Sequence, residues 1–254
     1  MSANSSSERN ETGLASFAVV VPMFNEAVGA EAFIQAAVSA LNHIPNRNYL
    51  VLVDDGSTDG TATILEKLNE RFAETVVLRH ERNSGYGTGL LTGANFASGQ
   101  GFDYVLFMDS DLTNPPEHIE RFVGAMSQGI ELIKGCRYCA GGGVEGVPMK
   151  AYLISLVGNL IARFLYGGGV RDSTNGFRAI RTDKFLDMPL REGGFALIME
   201  ELMWARRRKL SIANIPTTLY SRSADQRPTM FAYSFGQMAH YLKYALAARF
   251  ASKP

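Results

Sequence analysis

DYVLFMDSDLTNPPEHIERFVGAM (residues 103–126) carries a complete change of structure. Residues 103–109 are an apolar run rich in aromatic and branched side chains, the composition of a buried strand. Asp109 and Asp111 end it, one residue apart. Pro115 and Pro116 then open a helical pattern, where a proline is tolerated because the first helical N–H groups have no partner. Strand, acidic turn and helix follow one another without a spare residue.

The same unit recurs on both sides. FAVVVP (17–22) is a β-branched strand, followed by Val28, Ala32, Phe33, Ala36, Ala37, Ala40 and Leu41 at helical spacing. YLVLVDDGS (49–57) is a second strand, and residues 58–72 form a helix with Ile64, Leu65, Leu68 and Phe72 on one face. TVVLRH (75–80) is a third strand, RNSGYGTG a glycine-rich loop, and 89–98 a helix. IELIKG (130–135) is the fifth strand. Alternation at this spacing predicts a mostly parallel sheet covered by helices on both faces. Ligands of such sheets bind at the carboxyl ends of the strands. Asn25, Glu26, Asp54, Asp55, Asp109 and Asp111 all follow strand ends and are expected at one rim. The second half is less regular: a flexible link at 141–148, a helix at 150–166, a loop and strand in GGGVRDSTNGFRAIR, a helix at 196–209, a strand in LSIANIPTTLY and a helix at 229–250.

Bulk composition narrows the function classes. The 254 residues carry 25 basic and 25 acidic side chains, so no overall basic field favours nucleic acid. Cys136 and Cys139 form a lone CxxC without the further ligands zinc needs; a redox pair and two incidental thiols of a reducing cytosol are the readings left. Residues 1–14 read as a disordered polar tail without a signal-peptide core. The nearest approach to a membrane span, residues 151–170, is interrupted by Asn159 and Arg163, which leaves a cytoplasmic chain able to lie on a membrane.

Two carboxylates at a strand exit repel unless a positive charge joins them. Side chains i and i+2 of a strand point the same way, so a strand reaching Asp111 would aim both aspartates at one Mg²⁺ or Mn²⁺. The alternative is an ordinary turn rich in Asp, Asn and Pro. In VVDDGSTDG, a DG turn with Ser57 or Thr58 capping the next helix leaves at least one of Asp54 and Asp55 to bind a base or ribose. A Rossmann cofactor site is disfavoured, because the first strand ends in PMFNE and Gly85, Gly87 and Gly89 have the wrong spacing. Those glycines instead allow a tight loop and close helix packing.

VVVPMFNE, VLVDDGSTDGT, RNSGYGTG, FMDSDLTNPPE, IKGCR and DSTNGFRAIR, in this order, closely resemble the inverting family 2 glycosyltransferases of GT-A fold. Within them the chain is most similar to the dolichyl- and polyprenyl-phosphate mannose or glucose synthases, over roughly residues 17–225. The resemblance implies a Rossmann-like nucleotide-binding half and an acceptor half, spanning 15–225, with an amphipathic helix in 226–254 for a membrane interface or a partner. It implies that Pro22, Phe24 and Glu26 line the nucleotide pocket, that Val53, Asp54 and Asp55 serve the base and ribose, and that Ser110 lies near the ribose. Asp109 and Asp111 would hold the metal on the sugar-nucleotide diphosphate, and Arg137 and Arg222 would meet sugar and phosphates. Arg171, Asp172, Ser173, Thr174, Asn175 and Arg178 would form the acceptor loop.

Two positions depart from the family. Thr113 stands where a glutamine often supplies a third metal ligand, and Arg227 where a lysine charge is usual. The implied reaction moves a hexose from GDP-mannose or UDP-glucose to a lipid phosphate, already nucleophilic without a general base. The alternatives are a non-lipid acceptor, such as a glycan or natural product, and a catalytically silent sugar-nucleotide-binding subunit. Relatives without spans recruit small membrane subunits, so such a partner and peripheral attachment to the cytoplasmic face are expectations. Phe231, Phe235, Met238, Leu242, Ala245 and Leu246 share one face of the last helix. Glu200 and Glu201 read as a buried helix with one ion pair, with loop positioning as a further role.

Overall fold

The computed structural model describes residues 14–167, 169–222 and 235–250. In chain order the elements are β1 (Phe17–Met23), α1 (Ala30–Asn42), β2 (Asn48–Asp54), α2 (Thr61–Arg71), β3 (Thr75–Arg79), α3 (Tyr86–Gly99) and β4 (Tyr104–Phe107). A 3₁₀ turn (Pro116–Ile119) leads into α4 (Glu120–Ser127). Then come β5 (Leu132–Cys136), β6 (Gly143–Glu145), α5 (Met149–Leu165), β7 (Arg178–Arg181), α6 (Thr182–Asp187), α7 (Leu197–Arg207), β8 (Ile212–Pro216), β9 (Thr218–Tyr220) and α8 (Phe235–Phe250).

Seven strands form one sheet in the order β3-β2-β1-β4-β7-β5-β8. All neighbours are parallel except β7, which runs antiparallel between β4 and β5. The sheet is buried on both faces, which explains the unbroken apolar runs. Phe17, Val19 and Val21 pack with Phe33, Leu65 and Phe122 on one side. Ala18 and Val20 pack with Leu90, Leu202 and Ala245 on the other. The glycines of α3 let it lie against the sheet: a Cβ on Gly93 would meet Val20 Cγ1 at 2.2 Å.

Three expectations are corrected. β4 ends at Phe107 rather than at Asp109, so the strand does not extend to Asp111. The link at 141–148 contains β6, which pairs with β9 in a small parallel sheet, so LSIANIPTTLY is two strands rather than one. Neither Ser57 nor Thr58 caps α2; the N–H of Thr61 is instead accepted by Asp59 Oδ1 at 2.9 Å, and Ser57 Oγ accepts the N–H of Asn25.

Candidate active site

The parallel strands deliver their carboxyl ends to one cavity of about 370 Å³. Pro22, Phe24 and Glu26 reach it from the end of β1, Asp55 from β2, Tyr86 from the start of α3, and Asp109, Ser110 and Asp111 from β4. Asn25 adopts a left-handed φ of 54° there. Its side-chain oxygen accepts the Thr58 N–H at 2.8 Å, and Thr61 Oγ1 accepts the Glu26 N–H at 2.9 Å, which locks the first two loops together.

Asp55 is fully committed. Its Oδ1 meets His80 Nδ1 at 2.6 Å and the Ser84 N–H at 2.8 Å, and its Oδ2 accepts the Gly85 N–H at 2.8 Å. It thus fixes the glycine-rich loop as well as lining the pocket. Val53 and Asp54 lie beneath the pocket rather than in its lining. Asp54 accepts the Ser57 N–H at 2.9 Å and faces Arg79 at 3.3 Å.

Asp109 and Asp111 converge although no strand carries them. The turn between them and the next helix is tight, with Leu112 at φ 57°. Burial, and then the Asp111 charge, push the Asp109 carboxyl up to about 6. Two neighbouring carboxylates, whose ionised form a nearby positive charge favours, suit a hard divalent cation that would take further oxygens from a diphosphate. Among the described residues no cluster of three His, Cys, Asp or Glu could hold a metal; Asp109 and Asp111 are a pair that could contribute to one.

Thr113 does not line the cavity. Its N–H and hydroxyl donate to Asp111 Oδ1 at 3.1 and 2.7 Å and so orient that carboxylate. Asp111 Oδ2 receives Arg222 Nη2 at 2.5 Å. Arg222 arrives because β9 passes alongside: the Tyr220 N–H donates to Thr113 O at 2.8 Å.

Under Asp109 lies a buried network. Tyr86 shares a hydrogen bond with Asp109, and burial, then the Asp109 charge, raise its phenol well above the ordinary value. Gly176 permits the approach, since a Cβ there would stand 3.1 Å from Asp109 Oδ2. Arg178 corrects the acceptor-loop expectation. It is fully buried in β7, gives Nη2 to Glu201 Oε2 at 2.7 Å and lies 4.5 Å over the Phe107 ring. Glu201 is therefore the structural ion-pair partner. Lys134, in register with Arg178, donates to Asn175 O at 2.6 Å; burial, then Arg178, bring its amine down to about 7.

A second cavity of about 440 Å³ opens between α5 and α8. Ile154, Ile161, Ala162, Met199, Met238, Leu242 and Ala245 make it apolar, while Arg137, Ser155, Ser173 and Thr174 supply polar groups. Thr174 and Tyr241 line both cavities. Arg137 thus lies at this groove, not in the first pocket, and is held by Asp172 through Nε at 2.7 Å and Nη2 at 2.7 Å. Asp172 and Asn175 are buried supports and Arg171 is exposed; of the expected acceptor loop, Ser173 and Thr174 face the groove. Asn159 ties that loop to α5 by accepting the Ser173 N–H at 2.7 Å. Burial pushes the Cys136 thiol up to about 12, which makes it inert, and both cysteines are free. Arg227 lies outside the described residues.

Sequence reading missed His80, Tyr86, Lys134 and Phe195. Tyr86 and Phe195 follow glycines in SGY and GGF, the only local hint that rings would be exposed to a cavity.

The first, more polar cavity thus lies at the carboxyl ends of the parallel strands, where ligands of open α/β sheets bind. Residues 18–188 match the profile of Glycosyl transferase family 2, and the chain belongs to that family, with the GT-A fold. It is similar to the polyprenol monophosphomannose synthase of Mycolicibacterium smegmatis, 28% identical over 80% of this chain and 77% of the relative. It is 29% identical to the dolichol-phosphate mannosyltransferase of Pyrococcus furiosus, over 85% of this chain and 60% of that protein. Its fold resembles glucosyl-3-phosphoglycerate synthase from Mycobacterium tuberculosis in complex with UDP, with a TM-score of 0.65, 22% identity, and coverage of 92% of this chain and 81% of that one. A structure of that enzyme with Mn²⁺, UDP-glucose and phosphoglyceric acid gives a TM-score of 0.64 at 21% identity, covering 94% of this chain and 80% of that one.

Proposed function

We propose that the chain transfers a hexose, with inversion, from a nucleotide-diphosphate sugar of the GDP-mannose or UDP-glucose type to a polyprenyl or dolichyl phosphate. One observation carries the reading: the polar donor pocket meets an apolar groove at Thr174 and Tyr241, with Arg137 at the groove. A hexose at that junction would face an acceptor phosphate whose isoprenoid tail lies between α5 and α8. The names of both curated relatives agree with such an acceptor.

The acceptor phosphate is anionic at neutral pH and needs no general base. The chain's contribution is electrostatic. Asp109 and Asp111 would hold Mg²⁺ or Mn²⁺, which neutralises the diphosphate when bound; solved fold neighbours contain these ions. Arg222 adds a guanidinium on the same side, and attack from the opposite face inverts the anomeric carbon. Arg137, oriented by Asp172, suits the acceptor phosphate.

An isoprenoid substrate requires a membrane surface. No described helix is long and apolar enough to cross one. Instead α5 and α8 expose a joint apolar face, with Phe164 and Phe250 each 73% accessible. Exposed Lys150, Arg163, Lys243 and Arg249 flank it, suiting the anionic lipids of a cytoplasmic leaflet. A small membrane protein on the same face is the alternative attachment.

The fold neighbours favour a second reading, in which a small anionic acceptor replaces the lipid. The deciding assay offers radiolabelled GDP-mannose and UDP-glucose, with Mn²⁺, to citronellyl phosphate and to phosphoglyceric acid. Label on citronellyl phosphate is expected. Label on phosphoglyceric acid alone would replace the lipid reading with the second one, and no transfer to either would favour a silent nucleotide-sugar-binding subunit.

A further inference from the structure

The loop between α6 and α7 lies between the donor pocket and α8. Glu200, which is buried, holds its backbone: Oε2 accepts the N–H groups of Arg191 and Glu192 at 2.8 and 2.9 Å. The Glu192 carboxylate extends to α8, where Oε1 meets His240 Nε2 at 2.8 Å and the Tyr244 hydroxyl. Those two residues are one turn apart and share one face of the helix. Tyr244 is nearly buried, at 7% exposure, so its hydroxyl requires a partner, and Glu192 is the one it meets.

The same loop touches the donor side. Gly193 O accepts the Gly87 N–H at 2.7 Å, and Phe195 stacks on Tyr86 with ring centroids 4.6 Å apart. Gly194 and Phe195 line the donor pocket. On the other side α8 lines the groove with Met238, Leu242 and Ala245 and lends Tyr241 to both cavities. A continuous chain of contacts thus runs from Tyr86 through the loop to Glu192, and from there along α8 to the shared wall.

We infer that Glu192 is a positioning residue: by gripping His240 and Tyr244 it fixes α8 against the donor-side loop and so places Tyr241 where donor pocket and acceptor groove meet. The consequence for acceptor binding rests on the lipid-phosphate reading; the placement of α8 does not. Hydrogen bonding supports the grip, since the Glu192 carboxyl is held below its usual range: burial raises it, but the Tyr244 and His240 bonds outweigh burial.

The test compares Glu192→Ala and Glu192→Gln in the full chain. Glutamine keeps an oxygen that accepts from Tyr244 or His240; alanine keeps none. The first readout is hydrogen exchange of the α8 amides. The second is the steady-state kinetics of transfer to citronellyl phosphate. Faster exchange in α8 is expected for the alanine variant, with KM for citronellyl phosphate raised about tenfold, a change of about 1.4 kcal/mol. Its kcat and its KM for the nucleotide sugar should stay within about twofold of wild type. Glutamine should restore both readouts. Unchanged α8 exchange in the alanine variant overturns the inference. So does a uniform loss of donor binding, acceptor binding and thermal midpoint, which marks a merely structural tie. If wild type transfers nothing to citronellyl phosphate while α8 exchange still responds, the acceptor reading fails and the positioning of α8 stands.

Discussion

Asp111 shows how a short motif acquires its chemistry. Four hydrogen bonds, from Thr113 and Arg222, fix its carboxylate beside Asp109. Asp111→Asn keeps the volume and removes the charge, so transfer should fall by at least about 100-fold, the scale for losing one preorganised electrostatic group. The thermal stabilisation given by Mn²⁺ plus nucleotide should vanish with it; turnover at the wild-type rate would refute the metal site. Asp172 yields a pH prediction. Burial raises its pKa, but Arg137 outweighs burial and holds it below the ordinary 3.8. Its ion pair therefore stabilises the fold fully above pH 3.8, and that contribution is lost as pH falls further through the lowered value. Asp172→Asn removes the buried carboxylate that Arg137 grips through Nε and Nη2, at a cost of about 3 kcal/mol near neutrality. In urea titrations the gap from wild type should narrow only below pH 4 or so. At this scale the sequence named the aspartates correctly as a pair facing one cavity. It could not show that Thr113 bonds Asp111 across a tight turn, or that the charge of Arg178 is answered by Glu201 from a distant helix.

At the scale of elements, hydrophobic periodicity located every strand of the parallel half. It missed β6 and merged β8 and β9 into one strand, because β6 and β9 are three-residue strands that exist through pairing with each other rather than through their own apolar pattern. The sequence reading assigns close helix packing to Gly85, Gly87 and Gly89; Gly93, which it did not single out, is the tightest case. A Cβ there would stand 2.2 Å from Val20 Cγ1, on a stiff branched side chain at the middle of β1. Alanine gains up to about 1 kcal/mol in helix propensity. Overpacking costs about 1–3 kcal/mol and should win. Gly93→Ala should therefore lower the thermal midpoint by several degrees in calorimetry, whereas Gly99→Ala, with open space around its Cβ, should not.

For the molecule as a whole, the apolar face of α5 and α8 is the feature to test. Phe164→Asp places a charge on its most exposed part, away from both cavities. The variant should lose flotation with anionic liposomes yet transfer to the soluble citronellyl phosphate as well as wild type does; a wild type that never floats would sink the membrane reading. The sequence by itself determined the alternating sheet, its carboxyl-end rim and the family, because strand burial and strand-end loops are local consequences of composition and spacing. Only the tertiary structure decided which charged residues reach a cavity. Arg137 and Arg178 look alike along the chain, but one lies at the groove and the other is locked under Asp109. That difference, like the groove itself, arises where α5, β7, α7 and α8 meet across long sequence separations, and partner choice among buried charges is fixed there by geometry rather than by neighbours in sequence.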